Sequence, residues 1–190
     1  MDITQSFDKI KGAIQEPLIV QHKAELTSAE IANLWNTYVH YSTLTCVFKY
    51  FEKIARDNND SDIMSLISYA LRSFDTRLKW IINLFNREKL TIPIGFSEKD
   101  VNINAPPLYS NAYILHYLRN MIKFGMSVQT LNMNMSERPD VRDFFAEVSS
   151  TIMELNKMTT NVMLKRGIVQ RPPTINVSDK AKYVKRSSFL

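Results

Sequence analysis

The feature that most constrains this chain is a stretch of 18 residues, 91–108, reading TIPIGFSEKDVNINAPPL, which interrupts an otherwise helical pattern. Two long helical patterns precede it and two follow, and within each pair only a few residues separate them. Extended at roughly 3.3 Å per residue, such a segment reaches at most about 59 Å. A helix of about 28 residues is about 42 Å long, at a rise of 1.5 Å per residue. The segment can therefore run the whole length of a bundle and start the third helix at the end where the second one starts.

The flanking patterns carry their own punctuation. TSAE at 27–30 places Thr27 as an N-cap with Glu30 three residues on, a capping box ahead of an apolar run. The first helix is expected to continue to about Asp57, with Ile31, Leu34, Tyr38, Tyr41, Thr45, Phe48 and Phe51 on one stripe, widened by Val47 and Ile54. DNNDSD at 57–62 reads as a turn, with Asp60 or Ser61 as the next cap. Ile63, Ile67, Ala70, Phe74, Leu78, Ile81 and Phe85 mark a second helix to about Lys89. Ile114, Leu118, Met121, Gly125 and Val128 mark a third, over about 109–135.

Pro139 suits the first turn of a fourth helix, with Asp140 and Asp143 near its positive end. Its stripe is Val141, Phe144, Val148, Ile152, Leu155, Thr159 and Val162, and Gly167 is placed to end it. The expected fold class is all-α: a ferritin-like four-helix bundle with one long crossover between helices 2 and 3. Residues 27–167 make the bundle. Residues 1–26 form an N-terminal extension with a short amphipathic helix at Ile3, Phe7, Ile10 and Ile14. Residues 168–190 form a basic C-terminal tail, extended or with a short helix near 180–185.

Composition supports one helical domain. In 190 residues there are only 4 Gly and 7 Pro, and a single cysteine, Cys46, rules out an intrachain disulfide framework. The start MDITQSFDKIKGAIQ lacks the basic and apolar regions of a signal peptide, and no run approaches the roughly 20 apolar residues of a membrane span. A soluble, cytoplasmic protein is the expectation. The net charge of +5 is uneven. Lys165, Arg166, Arg171, Lys180, Lys182, Lys185 and Arg186 face one acid, Asp179, in the last stretch, which leaves the bundle near neutral. A nucleic-acid-binding body needs a basic face on the fold itself, so nucleic acid is not an expected partner. The tail reads as a solvated extension.

A ferritin-like bundle raises the question of a di-metal centre. That chemistry needs one inward Glu from each of two helices and a Glu-x-x-His motif from each of the others. No Glu-x-x-His occurs, and near mid-height only Asp75 and Glu154 are carboxylates. His40 and Cys46 stand six residues apart on one helix, roughly 240° around it, and so cannot pair as base and nucleophile. Cys46 reads as a small buried hydrophobe, and His116, near Arg119 and Lys123, as part of a solvated face. Seven of the nine methionines lie between Met121 and Met163 and read as core filler, with an adaptable apolar surface or pocket as the alternative. Mid-helix hydroxyls such as Ser42, Thr45 and Ser149 are expected to bond the preceding turn. Phosphate loop, dinucleotide fingerprint, zinc spacing and nucleophile elbow are all missing. No catalytic, cofactor-binding or metal-ligating residue can be named, and no cofactor is expected. The long connection remains the best functional candidate, with Ile92, Ile94, Phe96, Val101 and Ile103 expected to pack along the bundle.

NREKLTIPIGFSEKDVNINAPPLYS (86–110) resembles a family of uncharacterised proteins of endospore-forming bacteria, of the domain of unknown function 3231 type. LTSAEIANLW (26–35), RPDVRDFF (138–145) and RGIVQRPP (166–173) are similar to the same family, so the resemblance covers about 25–190. It implies a ferritin-like bundle, a place in the cytoplasm or spore coat, and no catalytic residues to carry over. Such proteins often hold two bundles in tandem, whereas this sequence stops at KYVKRSSFL. The departure implies a homodimer that restores the missing bundle–bundle contact, with other coat or cellular proteins as further partners. The expected function is a non-enzymatic structural or interaction module. The alternative is a bundle holding a small apolar ligand or a metal between its helices.

Overall fold

The computed structural model describes residues 24–173, and the helix expected at Ile3 to Ile14, His22 and the segment near 180–185 lie outside them. Four helices carry the described residues: α1 Ser28–Asp57, α2 Ser61–Arg87, α3 Asn111–Asn134 and α4 Pro139–Lys165. A single 3₁₀ turn, Glu98–Asp100, interrupts the long connection, hereafter the strap.

Each start follows from local chemistry. Thr27 accepts from the Glu30 N–H while the Glu30 carboxylate accepts from the Thr27 N–H, closing the expected box. Asp60 caps α2 through the Ile63 N–H, and Ser110 caps α3 through the Tyr113 N–H. Tyr109 thus belongs to the strap. Pro139 occupies the first turn of α4, whose N-cap, Arg138, makes no side-chain cap bond. Instead the buried Glu30 reaches across from α1 and accepts the Arg138 backbone N–H at 2.7 Å. Gly167 ends α4 with φ +66°, and two residues with a Cβ, Asn59 and Lys89, adopt the same left-handed conformation after α1 and α2.

Hydrogen bonds at the two ends fix the helix directions. At one end Arg166, after α4, grips Asp60 with two bonds of 2.7 Å, and Asn111, at the start of α3, donates to Asp60 at 2.7 Å. At the other end Arg138, before α4, pairs with Glu88, after α2, at 2.9 Å and lies against Glu30 at the start of α1. So α2 and α3 start at the same end and run parallel, as do α1 and α4. Contacting neighbours are antiparallel: α1 with α2, α3 with α4, α2 with α4 and α1 with α3. The result is an all-α four-helix bundle with one lengthwise crossover, compatible with the ferritin-like arrangement.

Because α3 stands diagonally from α2, the strap must cross an intervening helix, and it crosses α1. Gly95 lies against Tyr38 and Ser42, the Cys46 thiol donates to the Ser97 carbonyl, Lys49 pairs with Glu98, and the Tyr50 hydroxyl donates to the Pro106 carbonyl. These partners climb α1 in order. The expected inward packing of the strap is only half met. Ile92 and Val101 pack on the core, whereas Ile94 is 95% exposed, Phe96 52% and Ile103 is exposed as well. Between Ile92 and Val101, Pro93 is buried and Gly95 lies against α1, and the two-residue alternation of extended chain then turns Ile94 and Phe96 outward.

The core is built from Leu34, Phe48, Phe51, Ile54, Ile63, Ile67, Ile81, Phe85, Ile114 and Phe145, all essentially without solvent contact. Full burial of such a side chain stabilises by about 1.5–3 kcal/mol. The methionine expectation holds for five of the seven and fails for two. Only Met163 is fully buried, Met121, Met126, Met133 and Met158 flank the core, and Met135 and Met153 are exposed. Met135 caps the end of α3 and Met153 sits on the outer face of α4.

Candidate functional site

At mid-height, where a bundle of this kind would hold metal, the residues present are unsuited to one. Asp75 and Glu154 point outward, Asp75 pairing with Lys79 at 2.7 Å and Glu154 with Lys157 at 3.9 Å. Among the described residues no group of three or more His, Cys, Asp or Glu side chains is placed to hold a metal ion. The centre is occupied by Arg77 of α2, only 6% exposed, whose guanidinium lies 5.1 Å from the centre of the Tyr41 ring. A buried cation opposes a divalent ion at the same place.

Arg77 is poorly satisfied. Besides a long 3.5 Å hydrogen bond to the Val148 carbonyl of α4, its guanidinium meets the Tyr41 side chain, which supports its charge. Burial pushes its pKa down, and Tyr41, Tyr69 and Glu147 act against that shift. Tyr41 stacks on Phe74 at 5.0 Å, and its buried hydroxyl meets the Arg77 guanidinium. Burial raises the Tyr41 pKa, opposed by the charge of Arg77. Arg77 lines an inner hollow of about 30 Å³ towards Gly125 and Ile152, and an outer cleft of about 270 Å³ between α2 and α4. The cleft is walled by Tyr69 and by Trp80 stacked on Phe144 at 4.2 Å.

The opposite side of the bundle carries the strap and a wider groove of about 520 Å³ between the strap, α1 and the start of α3. Cys46, Tyr50 and Phe51 form its floor, and Phe96, Leu108 and Tyr113 its rim. Tyr109 and Tyr113 stack at 4.6 Å, and Tyr109 and Tyr117 meet the Phe51 ring edge-on at 5.9 and 5.4 Å. Burial and the neighbouring Tyr113 and Tyr109 raise the Tyr117 hydroxyl. Cys46 is buried and its thiol is pushed up by burial and by Asp100, which suits a packing residue. His40 rests 6.4 Å from Phe124, and burial holds its pKa down. His116 is half-buried, not solvated as its charged neighbours suggested, because the first half of α3 is drawn into the core with Leu115 and Leu118.

Residues 17–181 match the family described as "Protein of unknown function (DUF3231)". The chain belongs to this family. No curated protein matches the sequence significantly. Among solved structures it is similar to a "putative spore coat protein" of Bacillus halodurans, with a TM-score of 0.70 and 15% identity over 81% of this chain and 98% of that one. It is also similar to a conserved hypothetical protein of Mycobacterium tuberculosis, with a TM-score of 0.57 and 17% identity over 73% and 99%. At such identities the likeness concerns the fold.

Within this DUF3231 bundle, the polar core residues were the ones the sequence reading missed. Their signal was present in the spacing. Ala70, Phe74, Arg77 and Ile81 follow intervals of four, three and four, so Arg77 falls on the buried stripe where Leu78 had been placed. Ile122, Gly125, Gln129 and Asn132, at intervals of three, four and three, make the corresponding stripe on α3 and leave Met121 and Val128 on its flank. Gln129 Oε1 and Asn33 Nδ2 are enclosed without partners across the α1–α3 groove. No helix among the described residues is long and apolar enough to cross a membrane.

Proposed function

We propose that this DUF3231 bundle is a non-enzymatic structural and interaction module that pairs with a second copy through its strap face and serves in the spore coat or the cytoplasm of the sporulating cell. The observation that carries the reading is the exposure of Ile94, Phe96, Ile103 and Leu108 along the strap, the last 66% exposed, with Phe96 and Leu108 on one groove with the stacked Tyr109 and Tyr113. Large apolar side chains concentrated on one exposed segment mark a contact site more often than scattered single ones do. Aromatic side chains are the usual anchors of such contacts. The description of the Bacillus halodurans neighbour supports the coat as the setting.

Sedimentation equilibrium of the full chain tests the pairing. The wild type is expected to be dimeric at micromolar concentration, and Leu108→Glu with Phe96→Glu to be monomeric with unchanged helix content. A wild-type monomer at high micromolar concentration, or a dimer indifferent to both changes, would overturn it. A fluorescent fusion in a sporulating Bacillus cell tests the setting: signal confined to the vegetative cell and lost at sporulation counts against both the coat and the sporulating cytoplasm.

A further inference from the structure

The cleft between α2 and α4 lies on the opposite side from the strap, and its chemistry goes beyond the interaction reading. We propose that it binds a small aromatic monocarboxylate, with the carboxylate on Arg77 and the ring against the Trp80–Phe144 stack one turn further along α2. Four observations converge on this.

First, Arg77 is more than nine-tenths buried, and its partners are the Val148 carbonyl, at a long 3.5 Å, and the Tyr41 side chain, neither of which is an anion. Glu147, the acid that influences it, makes no ion pair with it. A guanidinium offers five N–H donors in a fork that matches a carboxylate. Removing it from water without an anion is costly, and the Tyr41 ring at 5.1 Å offsets only part of that cost. Second, Arg77 lines the cleft itself, so an entering anion meets it directly. Third, the walls are aromatic, and the volume of about 270 Å³ suits a single ring with a short acid arm. Fourth, Glu147 on the rim sets the charge of the guest. It repels a second negative charge, which disfavours phosphate and dicarboxylates, while Arg72 on the same rim favours entry of a single one.

Binding is read by fluorescence of the full chain carrying Trp35→Phe, which leaves Trp80 as the only tryptophan. Phenylacetate is the probe, with its neutral analogue phenylacetamide and inorganic phosphate alongside. The expected result is saturable quenching by phenylacetate, about tenfold weaker binding of the amide, and none of phosphate. Arg77→Met is expected to abolish the preference for the acid while keeping the fold, since apolar replacement of a buried ion is often neutral or stabilising. Should that variant unfold, Glu147→Gln decides the matter: it is expected to tighten phenylacetate by about threefold and leave the amide unchanged. Equal affinity for acid and amide, tighter binding of phosphate, or no saturable change with phenylacetate would each overturn the proposal. None of these outcomes bears on dimerisation through the strap face, so the two readings fail separately.

Discussion

Glu30 shows how much one side chain can hold in this bundle. It has no solvent exposure, and its two carboxylate oxygens accept from the Arg138 N–H at 2.7 Å, the Thr27 N–H at 2.8 Å and the Thr27 hydroxyl at 2.9 Å. It thereby closes the cap of α1 and supplies the acceptor that the start of α4 lacks. Burial alone would raise its pKa, but the bonds from Arg138 and Thr27 outweigh it and the net shift is downward. A carboxyl that is more acidic in the folded state contributes stability that is complete above the ordinary value of about 4.3. That contribution is lost as pH falls through the lower folded value. Glu30→Gln keeps the shape but offers an amide donor where a second acceptor is needed, and a loss of about 2–3 kcal/mol is expected at pH 7. Urea midpoints should show the gap between variant and wild type narrowing below about pH 4. A gap independent of pH would mean that the charge of Glu30 contributes nothing.

At the scale of elements, the strap is held by close backbone approach at Gly95. A Cβ there would stand 2.7 Å from Ser42 Oγ and 2.9 Å from the Tyr38 ring, and Ser42 Oγ already accepts the Phe96 N–H at 3.1 Å. Gly95→Ala must therefore lift the strap from α1, at a cost of about 1–3 kcal/mol. Cys46, buried beneath Ser97, reports the lift: its reaction with a thiol reagent should be several-fold faster in the variant, measured with native helix content. An unchanged rate would show that the strap yields elsewhere. The sequence carried much of this level openly. The Thr27 box, the Asp60 cap, Pro139 and Gly167 are local chain chemistry and stand where their residue types indicate. Asn59 stands in the DNNDSD turn and is a type that tolerates the left-handed conformation, whereas Lys89 escaped notice because its residue type carries no such signal. Arg77, Gln129 and Asn132 escaped because a polar residue on an apolar stripe reads as the edge of the stripe until its spacing is given priority over its polarity.

For the whole molecule, the two polar clamps and the strap say one thing about topology. Arg166 and Asn111 meet at Asp60, while Arg138 gathers Glu88 and Asp140 at the far end. This places the strap over α1, which gives the bundle one aromatic face under the strap and leaves the opposite side open at Arg77. Had α2 and α3 been antiparallel, a short loop would have sufficed, and neither face would exist in this form. The likeness to the Bacillus halodurans structure, at 15% identity, is consistent with an architecture that outlasts most of its residues. The most direct test is a pair of electron-spin distances in a Cys46→Ala background. Labels at Ser61 and Ala112, beside the hydrogen-bonded Asp60 and Asn111, should give a short separation. Labels at Ser61 and Asn134 should lie farther apart by something close to the length of α3, about 36 Å for its 24 residues. A short distance from Ser61 to Asn134 and a long one to Ala112 would reverse α3 and contradict the account.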